Sequence, residues 1–140
     1  MTENVGKTVD LHKYVDFVDA VTSDPSKDFK SFIESLEHLD GEGGNINRLT
    51  TAAVGISAEG GEFMEIVKKM VFQGKPWNDA NREHLIVELG DVMWYVAQAC
   101  MALDVSFDDV VERNVEKLKA RYPGGEFDVH HSENRREGDI

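Results

Sequence analysis

Apolar residues recur at every third or fourth position along most of this chain, and this spacing constrains the fold more than any other feature. The pattern is most extended between residues 47 and 103, where Gly74-Lys75-Pro76-Trp77 divides it into two long stretches. No segment alternates apolar and polar residues as a strand does, and no internal repeat is visible. Short connections favour antiparallel neighbours, so the sequence predicts an all-α fold, an antiparallel bundle of four to five helices.

Capping residues and breakers set the expected helix ends. Asp24 followed by Pro25 predicts an N-cap and a first helical residue, and Asp40 to Gly44 predicts a loop by composition. Ser106 and Asp109 have the spacing of a capping box. The predicted helices cover residues 9–22, about 25–39, about 47–72, about 79–103, and 106 to just before Pro123.

Three glycines, Gly55, Gly60 and Gly61, lie inside the predicted helix 47–72. Each costs a helix interior about 1 kcal/mol relative to alanine. Their presence indicates that another backbone or a ligand approaches this stretch closely.

Length and charge limit the classes of protein that the chain can represent. Its 140 residues fit one folding unit, predicted as a single domain over residues 1–125 followed by a polar tail over 126–140. Fifteen basic and 27 acidic residues give a net charge of −12, which argues against nucleic-acid binding. There is no secretory signal pattern and no uninterrupted apolar run near the ~20 residues that span a bilayer, so we expect a cytoplasmic protein with no membrane partner.

Two pairs of acidic residues are the candidate metal ligands of this chain. Glu59 and Glu62 are three residues apart on one predicted helix, and Glu88 and Asp91 are three apart on the next, so each pair shares a helical face. If the two helices pack antiparallel, four carboxylates converge and repel one another unless a cation lies between them. Oxygen ligands favour Mg²⁺, with Mn²⁺ as a substitute, over zinc.

The alternative interpretation of such pairs is a solvated helix face, which is common in acidic helical proteins. The surroundings of Glu88 and Asp91 favour the metal, because both residues stand in an otherwise apolar stretch between Leu85 and Tyr95. Charged residues in such a stretch need a partner or a metal.

These motifs, taken in order, resemble those of MazG-like pyrophosphohydrolases. The sequences Ala58-Glu59-Gly60-Gly61-Glu62 and Glu88-Leu89-Gly90-Asp91 are similar to the family's ExxE and ExxD motifs. The stretch from Asn114 through Lys117-Leu118 to Arg121 is similar to its third signature. The resemblance extends from about Leu49 to the C-terminus, and includes the tail sequence 132–139.

The resemblance implies an enzyme that hydrolyses nucleoside triphosphates, including deoxynucleoside triphosphates, to the monophosphate and pyrophosphate with Mg²⁺. It implies that the four acids are the metal ligands and the catalytic residues, and that the protein forms homodimers or homotetramers. Five further residues are then expected to bind the substrate: Tyr95 and Asn114 at the sugar, and Lys75, Lys117 and Arg121 at the phosphates.

Other readings stay open at this point. A hydrolase of another phosphoanhydride, such as the alarmone (p)ppGpp, would use the same acids, and a non-catalytic helical oligomer that senses nucleotides would look similar in sequence. A P-loop is excluded because no GxxxxGK[ST] is present, and a di-iron bundle is disfavoured because neither Glu59 nor Glu88 is followed by His after three residues.

Overall fold

A computed structural model describes residues 8–134, and all of the regular structure within that range is helical. The all-α prediction is therefore confirmed. The described helices are α1 (Leu11–Ala20), α2 (Asp24–Lys27), α3 (Phe29–Gly41), α4 (Ile46–Gln73), α5 (Asp79–Leu103), α6 (Phe107–Arg121) and α7 (Val129–Glu133). Residues 135–140, the end of the predicted tail, lie outside the described residues.

Contacts divide the chain into two compact units, residues 1–44 and 45–140. In the first unit, α2 packs against α3. Asp28 caps α3, because its carboxylate accepts a 2.9 Å hydrogen bond from the backbone N–H of Ser31. Its hydrogen bonds with Ser31 lower the pKa of Asp28.

Three details of the first unit differ from the sequence prediction. The single helix predicted over about residues 25–39 is divided at Asp28 into α2 and α3. The N-cap before Pro25 is Ser23, and Asp24 is already helical. Helix α3 continues through Asp40 to Gly41, where a loop was predicted, because its closing turn needs a positive φ only at Gly43.

The second unit is built on an antiparallel hairpin of α4 and α5. Gly74 adopts a left-handed conformation (φ 71°) that ends α4, and Asn78 caps α5 by accepting a bond from the backbone N–H of Asn81. At the opposite end of the hairpin the Arg48 guanidinium donates a 2.6 Å hydrogen bond to Gln98. The predicted boundaries of these two helices are confirmed to within a residue or two.

Few side chains are buried within the described part of the chain. The buried apolar residues there are Ala52, Ile66 and Cys100, all in the hairpin, and two polar residues, Asn81 and Glu88, are buried beside them. Cys100 is buried and has a free thiol, as is usual for a cysteine that serves as a small core residue. Large apolar side chains elsewhere on α4 and α5 are exposed among the described residues.

Helix α6 begins at the predicted capping box. The Ser106 hydroxyl accepts a 3.1 Å bond from the N–H of Asp109, and the Asp109 carboxylate accepts a 2.9 Å bond from the N–H of Ser106. The helix ends at Arg121, before Pro123, as predicted. The short helix α7 then forms within the predicted tail, capped by Asp128.

One helix of the described range, α5, is long and apolar enough to cross a membrane by length and composition alone, with a mean hydropathy of 1.3 over its most apolar window. Helix α5 carries the acidic residues Glu88 and Asp91 in its middle, and central helices of soluble proteins pass the same test.

Candidate functional site

Three carboxylates converge at the middle of the hairpin. Glu59 of α4 and Glu88 and Asp91 of α5 each offer an oxygen, and these oxygens all lie within 4.8 Å of one another. The antiparallel packing of α4 and α5 and the three-residue spacing within α5 produce this arrangement. The structure therefore brings together three of the four acids predicted to bind metal.

Glu62, the fourth predicted acid, lies one turn after Glu59 and is exposed. Its carboxylate is outside the group of three, although its charge still acts on Glu59. Its role as a ligand stays a prediction.

The electrostatics of Glu59 show the cost of this convergence. Partial burial raises the pKa of Glu59 above its ordinary value, and the negative charges of Asp91 and Glu88 raise it further. A hydrogen bond with Glu88 and the charge of Glu62 act in the same direction. The cluster is therefore short of positive charge, and its carboxylate donors suit a hard divalent cation such as Mg²⁺.

Glu88 is the most enclosed of the three acids, with 9% of its surface exposed. The Nε2 atom of His84, one turn earlier on α5, lies 3.2 Å from its Oε1. His84 is about half exposed, and Glu88 also offers an oxygen to the group that it forms with Glu59 and Asp91. This contact comes from outside the group of three acids and orients its most enclosed carboxylate.

An open pocket of about 360 Å³ adjoins the cluster and is lined by Glu59, Asp91, Trp94 and Tyr95. Tyr95, predicted to touch the sugar, thus lies beside the acids, although contact with a sugar stays a prediction. A Cβ atom at Gly55 would overlap the Tyr95 ring, so this glycine lets the ring pack between the two helices. A close approach at Gly55 is therefore present, but the approaching group is a side chain and not the predicted backbone or ligand.

Gly60 and Gly61 behave differently from Gly55. A Cβ atom at either position would meet nothing within 4 Å, so no backbone of the described residues approaches closely there, and the approach of a ligand stays a prediction. Their open surroundings leave free space beside Glu59.

Sequence reasoning did not identify Trp94 as a pocket residue. The structure places it on the pocket wall, 56% exposed, with its ring 4.8 Å from that of Tyr95 at an angle of 83°. The signal was present in the sequence, because Trp94 follows Asp91 by three residues, the same spacing that joins Glu88 to Asp91.

The remaining predicted residues do not line this pocket in the single chain. Asn114, Lys117 and Arg121 lie on α6, spaced so that they share one side of it. Helix α4 ends at Gln73, which lies about 21 Å along the helix axis from Glu59 at ~1.5 Å per residue, and Lys75 follows that end. Their roles at sugar and phosphate stay predictions.

Comparison with known proteins agrees with this site. The sequence model of the MazG nucleotide pyrophosphohydrolase domain matches residues 48–125, which is more than half of the chain and includes all of the residues above. The chain belongs to the MazG family. The resemblance inferred from the two acidic motifs is thereby confirmed, and with it a pyrophosphohydrolase in the general sense.

The chain is also similar to a phage protein. The Gene 37 protein of Mycobacterium phage L5 is 40% identical over 87 residues, which are 61% of this chain and 75% of the phage protein. No solved structure matches the chain. MazG proteins are soluble, which favours α5 as the central helix of a soluble hairpin over a membrane span.

Proposed function

We propose that the protein hydrolyses nucleoside triphosphates, including deoxynucleoside triphosphates, to the monophosphate and pyrophosphate in a Mg²⁺-dependent reaction that controls nucleotide pools in the cytoplasm. The observation that carries the proposal is the convergence of Glu59, Glu88 and Asp91 within 4.8 Å beside an open pocket. Membership of the MazG family supports the reaction class.

The acids of the hairpin and Tyr95 have separate roles in this proposal. Glu59, Glu88 and Asp91 hold the cation, and Glu62 completes the set by turning its exposed side chain toward Glu59. A bound Mg²⁺, or Mn²⁺ in its place, would supply the positive charge that lets a polyanionic triphosphate approach a protein of net charge −12. It would also lower the pKa of water. Tyr95 positions the sugar from the pocket wall.

Positive side chains are also needed for the departing pyrophosphate, and the pocket lining described here is made of carboxylates and aromatic rings. Asn114, Lys117 and Arg121 on α6, with Lys75, are the candidates to contact sugar and phosphates. Assembly into a homodimer or homotetramer allows a second copy to bring such residues to the pocket and covers the exposed apolar faces of the hairpin.

The decisive experiment is product analysis. Purified protein is incubated with Mg²⁺ and a panel of NTPs and dNTPs, and the phosphate products are separated. Monophosphate and pyrophosphate in equal amounts are expected, and their formation should stop when EDTA is added. Nucleoside diphosphate and phosphate as the products would contradict the proposal.

A matched pair of variants ties the activity to the cluster. Glu59→Gln removes one ligand, while Glu65→Gln changes a glutamate of the same helix that pairs with Lys68 and Lys69 instead. Turnover should fall by at least 100-fold in the first variant and stay near wild type in the second.

Release of pyrophosphate from (p)ppGpp alone would favour an alarmone hydrolase, and saturable binding without turnover would favour a sensor.

A further inference from the structure

Trp94 presents the largest exposed aromatic surface in the pocket. Trp94 is 56% exposed, while the neighbouring Tyr95 is half-buried and its ring lies against Gly55 between the two helices. The Tyr95 ring meets it edge-on at 4.8 Å and 83°, an arrangement that aromatic pairs favour. A ring fixed between helices thus supports a second ring that projects into the open pocket.

The position of Trp94 relative to the acids suits a particular part of the substrate. Trp94 lies three residues beyond Asp91 on α5, about 4.5 Å farther along the helix axis. If the phosphates lie at the carboxylates, the nucleobase lies beyond them by the length of a sugar. An exposed indole at that distance offers a flat surface on which any base can stack.

We propose that Trp94 is the surface on which the nucleobase of the substrate stacks, with Tyr95 holding its ring in place. This inference rests on the proposed function and adds the group that recognises the base. The described pocket lining includes no amide or guanidinium to read the edge of a base, so Trp94 binds different bases with similar strength.

Fluorescence tests the contact directly. The chain has two tryptophans, and Trp77 lies outside the pocket lining in the connection between α4 and α5, so Trp77→Phe leaves Trp94 as the sole reporter. A deoxynucleoside α,β-imidotriphosphate, which resists cleavage, is titrated with Mg²⁺. Saturable quenching of Trp94 is expected, whereas inorganic triphosphate, which lacks a base, should leave the emission unchanged.

Three substitutions separate stacking from apolar packing. Trp94→Phe keeps an aromatic face, Trp94→Leu keeps apolar volume without one, and Trp94→Ala removes both. KM should rise about five- to 150-fold in the leucine and alanine variants, with kcat within about twofold of wild type, and stay within a few-fold in the phenylalanine variant. Sedimentation of each variant reports its mass.

Each contrary result is informative. Absence of quenching, an unchanged KM in Trp94→Ala, or wild-type behaviour of Trp94→Leu would overturn base stacking. A change of assembly mass in Trp94→Ala would overturn it in favour of subunit packing. Absence of NTP turnover in the wild type would contradict the proposed function and not the stacking contact. In that case the fluorescence titration, which needs no turnover, still tests whether the base stacks on Trp94.

Discussion

The ring of Tyr95 lies over Gly55 on the facing helix, so closely that a single methyl group at Gly55 would overlap it. We expect Gly55→Ala to destabilise the protein by about 1–3 kcal/mol, the usual cost of overpacking, and to lower turnover because Tyr95 must leave the pocket wall. Chemical denaturation and steady-state kinetics measure the two effects.

The same helix supplies the control for this substitution. A Cβ atom at Gly60 meets open space, so Gly60→Ala gains helix propensity without a clash and should stabilise the protein by up to about 1 kcal/mol. Equal free energies of unfolding for the two alanine variants would show that the Tyr95 ring does not pack on Gly55.

The raised pKa of Glu59 predicts how stability depends on pH in the absence of divalent cations. A carboxyl whose folded pKa lies above its unfolded value, here 4.5, stabilises the fold fully below that value. This contribution is lost as the pH rises through the folded pKa. Thermal melts of the wild type in EDTA should therefore lose stability relative to Glu59→Gln between pH 4.5 and neutrality, and Mg²⁺ should restore it.

The pKa of Glu65, on the same helix, is shifted in the opposite direction to that of Glu59. Its hydrogen bond and charge interaction with Lys68, followed by the contact with Lys69, lower its pKa. Its contribution is therefore present above pH 4.5 and is lost as the pH falls through the folded pKa. Melts in which Glu59→Gln and Glu65→Gln shift in the same direction would refute the electrostatic description of the cluster.

The contact between His84 and Glu88 predicts an effect on metal affinity. Removing the imidazole frees the Glu88 carboxylate to rotate, so His84→Ala should weaken Mn²⁺ binding at least tenfold, measured by calorimetry. His84→Gln, which keeps a donor on the same face, should retain most of the affinity.

A similar pair elsewhere serves as the control. His38 and Glu42 have the same four-residue spacing and a 3.1 Å contact, but they lie at the end of α3 and outside the acidic cluster. His38→Ala should leave Mn²⁺ affinity unchanged. A loss as large as that of His84→Ala would mean that the effect reflects general destabilisation.

The capping box of α6 makes a separate prediction. Ser106→Ala removes the acceptor for the N–H of Asp109 and should cost about 1 kcal/mol of unfolding free energy, whereas Ser106→Asp should be nearly neutral. Because Asn114, Lys117 and Arg121 lie on α6, the alanine variant should also raise KM for nucleotide. Denaturation of the two variants side by side is the measurement, and equal stability would contradict the capping role.

The exposed apolar faces predict self-association. Few apolar side chains of the described range are buried, while Leu89, Met93 and Leu103 on α5 are all at least half exposed. We expect sedimentation to give the mass of two or four 15.7 kDa chains. A monomer at micromolar concentration would contradict this and leave the apolar faces unexplained.

Much of the hairpin could be predicted from the sequence because local rules determine it. Gly74 with Pro76 ends one helix, Asn78 caps the next, and apolar spacing sets the length of both. The convergence of Glu59 with Glu88 and Asp91 then follows from antiparallel packing, since each acidic pair occupies one face.

What the sequence did not provide is which side chain fills a given gap between the helices. Helical spacing placed Gly55 in a close contact but could not name Tyr95 as its neighbour, because that depends on how far one helix is displaced along the other. For the same reason the sequence did not mark Trp94 as a pocket residue, and it could not show which three of the four acids bring oxygens within 4.8 Å of one another.

The four residues that line the pocket come from two helices joined by one short connection. One residue inserted between Asp91 and Tyr95 would turn everything beyond it by about 100° and take the aromatic wall away from the carboxylates. Insertions in the connection after Gly74 rotate neither helix. Relatives that keep the activity should therefore vary in length at the connection and never between the acids and the rings, which makes gap placement a criterion for recognising them.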